Sequence, residues 1–333
     1  MRKIRTMKAE MNDIYKPVID VIEKHHRFLV CSHAHPDGDA IGSTLALGVA
    51  LISRGKEVVM YNHDPVPRNL DFLPFASRIS NFIDNDSRFD VTIMVDCSQV
   101  ARVGDKLSSL KEKGLLVAID HHISCAAESD VSCFDEGASS TGEVVYSIIK
   151  RLGIEITPDI ATLILTTLVV DTGFFRYSNT TPHTLKIAAD LVEHGASTWF
   201  ISKNMEERVD PRQFRLLSDA LDTIEYLFGG KVAMMVITRQ MFRSTGADAE
   251  MVEDFINFPR SVDGVEVAVL IREKERNVFK VSFRSKGLVD VAALAARFDG
   301  GGHEHAAGCT IVGRLGVVKQ KISKAVGEHL AAL

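Results

Sequence analysis

A chain of 333 residues exceeds the size at which one hydrophobic core keeps growing, so two domains are expected, and 46% hydrophobic with 25% charged residues is ordinary for a soluble globular protein. A net charge of −5 argues against the broad basic field that holds long duplex nucleic acid, so a polyanion would need a locally prepared site, where bound cations can supply the positive charge. The longest apolar stretch, 160–170, is interrupted by Thr and falls short of the roughly 18 residues of a membrane span. The amino terminus is charged and lacks the apolar centre of a signal peptide. Five scattered cysteines (Cys31, Cys97, Cys125, Cys133 and Cys309) without a C-x-x-C pair argue against a disulfide framework or a zinc ribbon. These features predict a cytoplasmic protein with reduced thiols and no membrane partner.

In chain order, β-rich runs at 28–31, 57–61, 91–95 and 115–119 alternate with helical patterns at 41–53 and 141–152. That alternation predicts an α/β fold, a doubly wound parallel sheet with helices on both faces. A further apolar run ends on Asp171 and reads as another strand of that sheet. From 184 to 226 the pattern is mostly helical, with breaks at Gly195 and Pro211. Strands follow at 232–237, 265–272 and 278–284, then a helix at 289–298 with Leu294 and Phe298 as core residues, and a glycine-rich turn at 300–302. The order predicts a smaller α+β domain. The expected boundaries are 1–190, a helical joining segment at 191–228, and 229–333.

In open parallel sheets ligands gather at the carboxyl ends of the strands, and four runs deliver Asp or His there. Residues 31–43, Cys-Ser-His-Ala-His-Pro-Asp-Gly-Asp-Ala-Ile-Gly-Ser, bring His33, Asp37 and Asp39 together within seven residues. Residues 92–96 end on Asp96, 116–122 end on Asp120, His121 and His122, and 168–171 end on Asp171. Each of these has a bland reading, as a helix cap or a hydrogen-bonded turn residue. Their coincidence on one sheet edge does not. Mixed imidazole and carboxylate donors suit a catalytic site for a divalent ion such as Mn²⁺.

Other polar groups have local readings. His25 and His26 end the first helix favourably against its dipole. Ser139, Ser140 and Thr141 cap the helix that carries Glu143 and Tyr146. Arg176 either reaches a substrate or structures its loop. In the second domain Arg284 and Ser285 end a strand with a guanidinium fork and a hydroxyl that suit a phosphate. Gly300, Gly301 and Gly302 free the backbone to approach an anion, and His303 adds a donor.

The segments HAHPDGDAIGS, MVDCS, IDHH and VVDTGFFRYSNTT, in this order, resemble the four motifs of the DHH phosphoesterase family, and GGGHEHAAG at 300–308 resembles the signature of the DHH-associated domain. The resemblance covers nearly the whole chain and is greatest to the stand-alone nanoRNase/pAp phosphatase proteins. It implies two divalent metal ions, expected to be Mn²⁺. His33 and Asp37 would bind one, Asp39, His121 and Asp171 the other, and Asp96 would bridge them. Asp120 would orient a ligand histidine, and His122 would lean toward the phosphate. Two such ions about 3.5–4 Å apart lower the pKa of a shared water and clamp phosphoryl oxygens during in-line displacement.

The implied substrates are nucleotides or very short single-stranded oligonucleotides, with adenosine 3′,5′-bisphosphate (pAp) as a further candidate. A phosphodiesterase for cyclic dinucleotides or their linear products is the alternative enzyme. A catalytically silent nucleotide-binding regulator is the alternative from another class, disfavoured because every ligand position is filled. A homodimer paired along a sheet edge is implied by the resemblance alone.

Overall fold

A computed structural model describes residues 13–122 and 128–331. Residues 1–12, which carry much of the reading of the amino terminus, and Cys125 lie outside the described residues. The chain divides into two compact units, Met1–Arg208 and Val209–Leu333. The division falls inside the stretch read as a joining segment, whose helices are shared out between the units.

The first unit runs α1 (Lys16–Lys24), β1 (Arg27–Cys31), α2 (Gly38–Ser53), β2 (Glu57–Tyr61), β3 (Ile79–Ser80), β4 (Val91–Val95), α3 (Val100–Val103) and α4 (Asp105–Ser109). It continues with β5 (Leu115–Asp120), β6 (Val131–Phe134), α5 (Thr141–Arg151), α6 (Pro158–Asp171), α7 (Pro182–Glu193) and α8 (Thr198–Glu206). Its six strands form one parallel sheet in the order β3-β2-β1-β4-β5-β6. Successive strand side chains point to opposite faces. Phe28, Val30, Ile93 and Val95 therefore join Ile41, Leu45, Ile148 and Leu163 from the helices α2, α5 and α6, while Leu29, Cys31, Met94 and Ala118 join Val103 and Leu107 from α3 and α4. Cover on both faces explains why β4 is buried at every position and apolar except at Thr92.

The run ending on Asp171 is a helix, α6, and not a strand of the sheet. Every residue from Ile160 to Val169 is buried, so the helix is apolar all round and carries no 3.6-residue stripe. Periodicity cannot separate such a helix from a buried strand. Its length of 14 residues and Pro158 in the first turn, behind the capping side chain of Thr157, are the signals that decide.

The second unit runs α9 (Pro211–Leu221), β7 (Glu225–Leu227), β8 (Val232–Ile237), α10 (Arg239–Thr245), α11 (Asn257–Ser261), β9 (Val267–Glu275), β10 (Val278–Ser285), α12 (Val291–Ala296), β11 (Gly301–His303), β12 (Ala306–Val312) and α13 (Leu315–Ala331). The helical pattern breaks at Pro211, which opens α9 behind an Asp210 cap after α8 has ended at Glu206. The sheet is mixed, in the order β11-β12-β10-β9-β8-β7, with only β8 and β9 parallel. The expected three strands and helix are β8, β9, β10 and α12. The hairpin β11–β12 and the long α13 are additions to that reading. The two faces of this sheet differ. Val281, Phe283 and Ile311 pack on Leu294, Val318 and Val326, residues of α12 and α13. On the opposite face Met235, Ala268 and Leu270 lie with Leu216, Phe255 and Ile256. Among the described residues none from β10, β11 or β12 joins that second cluster, and Lys280, Thr310 and Val312 on this half of the face are exposed.

Candidate active site

The loop leaving β1 carries the first donors. Asp37 is the cap of α2, its Oδ1 accepting from the backbone N–H of Asp39 and of Ala40 at 3.0 Å each. Asp39, in the first turn, is therefore released from capping. Its carboxylate, only 1% exposed, accepts from Ser43 Oγ at 3.0 Å and from the backbone N–H of Thr141 at 2.7 Å and of Gly142 at 3.0 Å. Those two amides are the first of α5, so a helix amino terminus faces this charge. His33 sets Nδ1 2.8 Å from the carbonyl of Ala34. A carbonyl only accepts, so Nδ1 carries the proton and the neutral ring keeps its lone pair at Nε2, which lies 3.3 Å from Asp96 Oδ2.

Asp96 follows β4 with φ of 54°, the left-handed region, while its N–H donates to Ile119 O at 2.9 Å. Asp tolerates that conformation better than most residues, and it turns the side chain off the strand end. Asp120 ends β5. Its Oδ1 accepts from the backbone N–H of His121 at 2.8 Å and of His122 at 3.0 Å, and from His122 Nδ1 at 2.8 Å. Burial alone would raise the Asp120 pKa, but the His122 ring and these amides outweigh it and hold the pKa below the usual carboxylate value. The Asp120 carboxylate therefore steers the ring of His122, and Ala138 O, 3.3 Å from His121 Nδ1, steers His121.

Asp171 reaches the cluster from the end of α6 through close helix packing. A Cβ at Gly38 would sit 2.5 Å from Val170 Cγ2, and one at Gly42 would sit 2.6 Å from Thr167 Cγ2. A Cβ at Gly142 would overlap the hydroxyl of the same Thr167. Missing side chains on α2 and α5 thus let both helices press against the end of α6, setting Asp39 and Asp171 beside one another. Beyond Asp171, Phe174 and Phe175 both take positive φ, and Arg176 donates from Nε to Gly173 O at 2.6 Å. Arg176 thus braces its own loop, with the side chain exposed.

Donor atoms of His33, Asp37 and Asp96 lie within 4.8 Å of one another, as do those of Asp39, His121 and Asp171, and those of Asp96, His121 and His122. Among the described residues no Lys or Arg pairs with any of these carboxylates, and imidazoles are their only charged partners. Burial, and then the charges of Asp171, Asp96 and Asp37, push the Asp39 pKa well above the usual carboxylate value. Burial raises that of Asp171 too, with His121 offsetting only part. Burial would lower the pKa of His33 and His121, yet Asp96 and Asp171 respectively hold them above an ordinary histidine. His121 Nε2 is buried, 3.1 Å from Asp171 Oδ2 and 3.8 Å from Asp39 Oδ2, and has no hydrogen-bond partner among the described residues. Donors aimed at a shared point instead of at each other, in a pocket of excess negative charge, suit divalent cations.

The second unit separates the residues expected to meet a phosphate. Arg284 and Ser285 are neighbours on β10 and so face opposite ways. Ser285 Oγ donates to Glu266 Oε1 at 3.3 Å and accepts from Gly287 N–H at 3.0 Å, which commits it to the turn. Arg284 pairs with Ala306 on β12, and Ala306 pairs with His303 on β11, so the guanidinium and the imidazole share the open face about 10 Å apart at the backbone. The next row is Ser282, Gly308 and Gly301, little more than backbone. Arg284 is half-buried and makes no direct ion pair among the described residues; burial, then Arg260 nearby, lower its pKa, with Asp254 offsetting part. The glycines divide as well. A Cβ at Gly300 would strike Gly308 O and one at Gly302 would strike Ala306 O, so both are set by hairpin packing, whereas Gly301 has open space.

Thr141 is the contributor that sequence reasoning valued only as a cap. The cap is Ser140, accepting from Glu143 N–H, while Thr141 Oγ1 donates to Asp96 Oδ1 at 3.1 Å. The Ser-Ser-Thr-Gly-Glu run signals a helix start, but nothing local signals a contact 45 residues away.

A parallel sheet presenting His and Asp at its strand ends, followed by a mixed-sheet unit with a basic open face, matches the DHH family, N-terminal domain, over residues 27–168 and the DHHA1 domain over residues 229–331. The chain belongs to the DHH family, and it is a hydrolase acting on phosphate ester bonds. It is 35% identical, over 90% of its length and 89% of the relative's, to the bifunctional oligoribonuclease and PAP phosphatase NrnA of Thermus thermophilus. Identity to the Bacillus subtilis protein of that name is 26% over 88% of this chain and 92% of that one. The crystal structure of an exopolyphosphatase-related protein from Bacteroides fragilis superposes with a TM-score of 0.86 at 25% identity, over 96% of each chain. That of RecJ from Thermus thermophilus in complex with Mn²⁺ shares the fold, with a TM-score of 0.60 at 13% identity over 96% of this chain and 55% of that one. Among the described residues no helix is long and apolar enough to cross a membrane.

Proposed function

We propose that this hydrolase cleaves short oligoribonucleotides and removes a phosphate from pAp, using two divalent ions, with Mn²⁺ as the working ion. The reading is carried by the buried carboxylates of Asp39 and Asp96 and the partly buried one of Asp171, gathered with no Lys or Arg to balance them among the described residues. Similarity to the two oligoribonuclease and PAP phosphatase proteins supports the substrates. His33 and Asp37 would hold one ion and Asp39, His121 and Asp171 the other, with Asp96 between them. Bound there, the ions supply the positive charge that activates an attacking water and neutralises phosphoryl oxygens.

The protein's own groups do the rest. Ser43 and the α5 amides fix the rotation of the Asp39 carboxylate. Backbone carbonyls hold His33 and His121 with Nε2 toward the cluster. His122, half-exposed and steered by Asp120, keeps Nε2 to hold or release a proton at a leaving oxygen. In the second unit Arg284 and His303 would take a substrate phosphate, with Gly301 allowing close approach, while Ser285, Gly300 and Gly302 shape the strand ends. Four free, buried cysteines (Cys31, Cys97, Cys133 and Cys309) are in keeping with action in the cytoplasm.

The test is product analysis of metal-stripped protein with pAp and with RNAs of two to about ten nucleotides, without and with Mn²⁺. AMP and mononucleotides should appear only with the ion, and faster from the shortest RNAs. Cleavage without divalent ions, or an equal rate on long RNA, would overturn the reading.

A further inference from the structure

Thr141 opens α5, is fully buried, and touches both donor groups at once. Its backbone N–H donates to Asp39 Oδ2 at 2.7 Å and its hydroxyl donates to Asp96 Oδ1 at 3.1 Å. We infer that Thr141 is a positioning residue whose hydroxyl sets the rotation of the Asp96 carboxylate, and thereby the affinity of the cluster for a divalent cation. The inference rests on the metal-binding reading above.

The two oxygens of Asp96 face different groups. Oδ1 receives the Thr141 proton and lies 3.4 Å from His122 Nδ1, whose hydrogen bond goes to Asp120 at 2.8 Å. Oδ2 lies 3.3 Å from His33 Nε2, beside Asp37. The terminal torsion of an Asp side chain is broad, so a carboxylate without a fixed donor turns easily. With the hydroxyl proton spent on Oδ1, Oδ2 is held toward His33.

The hydroxyl can impose this orientation because the turn that carries it is pinned from outside. Ser140 Oγ sits 3.2 Å from Thr167 Oγ1 on α6. The buried Glu143 carboxylate accepts from Ser139 N–H at 3.1 Å, Ser139 Oγ at 2.7 Å and Thr184 Oγ1 of α7 at 3.0 Å. Gly142 allows α5 to lie directly against Thr167. The turn that carries Thr141 is thus held by two neighbouring helices, α6 and α7, which is what outer support of a ligand requires.

The experiment is titration of metal-stripped wild type, Thr141→Val and Thr141→Ser with Mn²⁺, reading free ion by electron paramagnetic resonance, with melting curves of each metal-free protein. Valine keeps the shape and the backbone amide, and serine keeps the hydroxyl. We expect Thr141→Val to weaken binding about 10–100-fold and Thr141→Ser to restore it to within about threefold of wild type. Should the valine variant not fold, Thr141→Ala replaces it in the same comparison. Wild-type binding that persists undiminished in the hydroxyl-free variants overturns this inference and leaves the metal reading standing. Failure of the wild type itself to bind Mn²⁺ overturns both.

Discussion

The two units place charge in opposite settings. In the first, Asp39, Asp96, Asp120 and Glu143 are buried, and each accepts hydrogen bonds from amides, hydroxyls or an imidazole offered by helix starts and strand ends. In the second, Arg284 sits half-buried on an uncovered part of a sheet, with exposed His303 two strands away. A buried anion without donors is costly, so the first arrangement must be rigid. An open guanidinium can trade its water for a phosphate with little rearrangement. On the proposed reading, ion-binding chemistry would be built into a packed core and recognition left on a surface.

The largest test removes Asp96, which belongs to two of the three donor triads. Asp96→Ala should lower pAp hydrolysis by about a thousandfold or more, a barrier increase of about 4 kcal/mol, while the melting of the second unit is unchanged. Retention of a tenth of the rate would break the comparison. Next, Arg284→Ala should raise KM for pAp about 10–100-fold while Mn²⁺ affinity stays at the wild-type value, since a charge-assisted hydrogen bond contributes about 1.5–3 kcal/mol. A changed ion affinity would show that the two roles are not separate.

Packing gives a smaller effect. Gly142→Ala should cost about 1–3 kcal/mol in denaturant unfolding, because the new Cβ overlaps Thr167, and Thr167→Ala in the same chain should recover part of it. Smallest is the pair at the expected phosphate site. Ser285→Ala should cost about 1 kcal/mol of stability with KM unmoved, and Gly301→Ala should leave stability within about 0.5 kcal/mol. A KM increase in Gly301→Ala alone would show that substrate approaches the backbone there.

Most of the first unit's site was legible because its groups follow short apolar runs. His33, Asp37, Asp39, Asp96, Asp120 and His121 each lie within a few residues of a β-rich segment, where local pattern is enough to place them. Asp171 had the right position and the wrong support, since a helix buried on every side shows no stripe to read. Ser285 was grouped with Arg284 by adjacency, whereas strand alternation sends neighbours to opposite faces.

By itself the amino-acid order determined the kind of chemistry, the parallel sheet of the first unit and the residues at its edge, because period and composition act over a handful of positions. Only the tertiary structure decided that Thr141 joins Asp39 to Asp96, that Gly38, Gly42 and Gly142 admit α6, and that His303 and Arg284 share a face. Those relations depend on side-chain volumes that are absent and on register between distant strands, and neither leaves a trace in any local window of the chain.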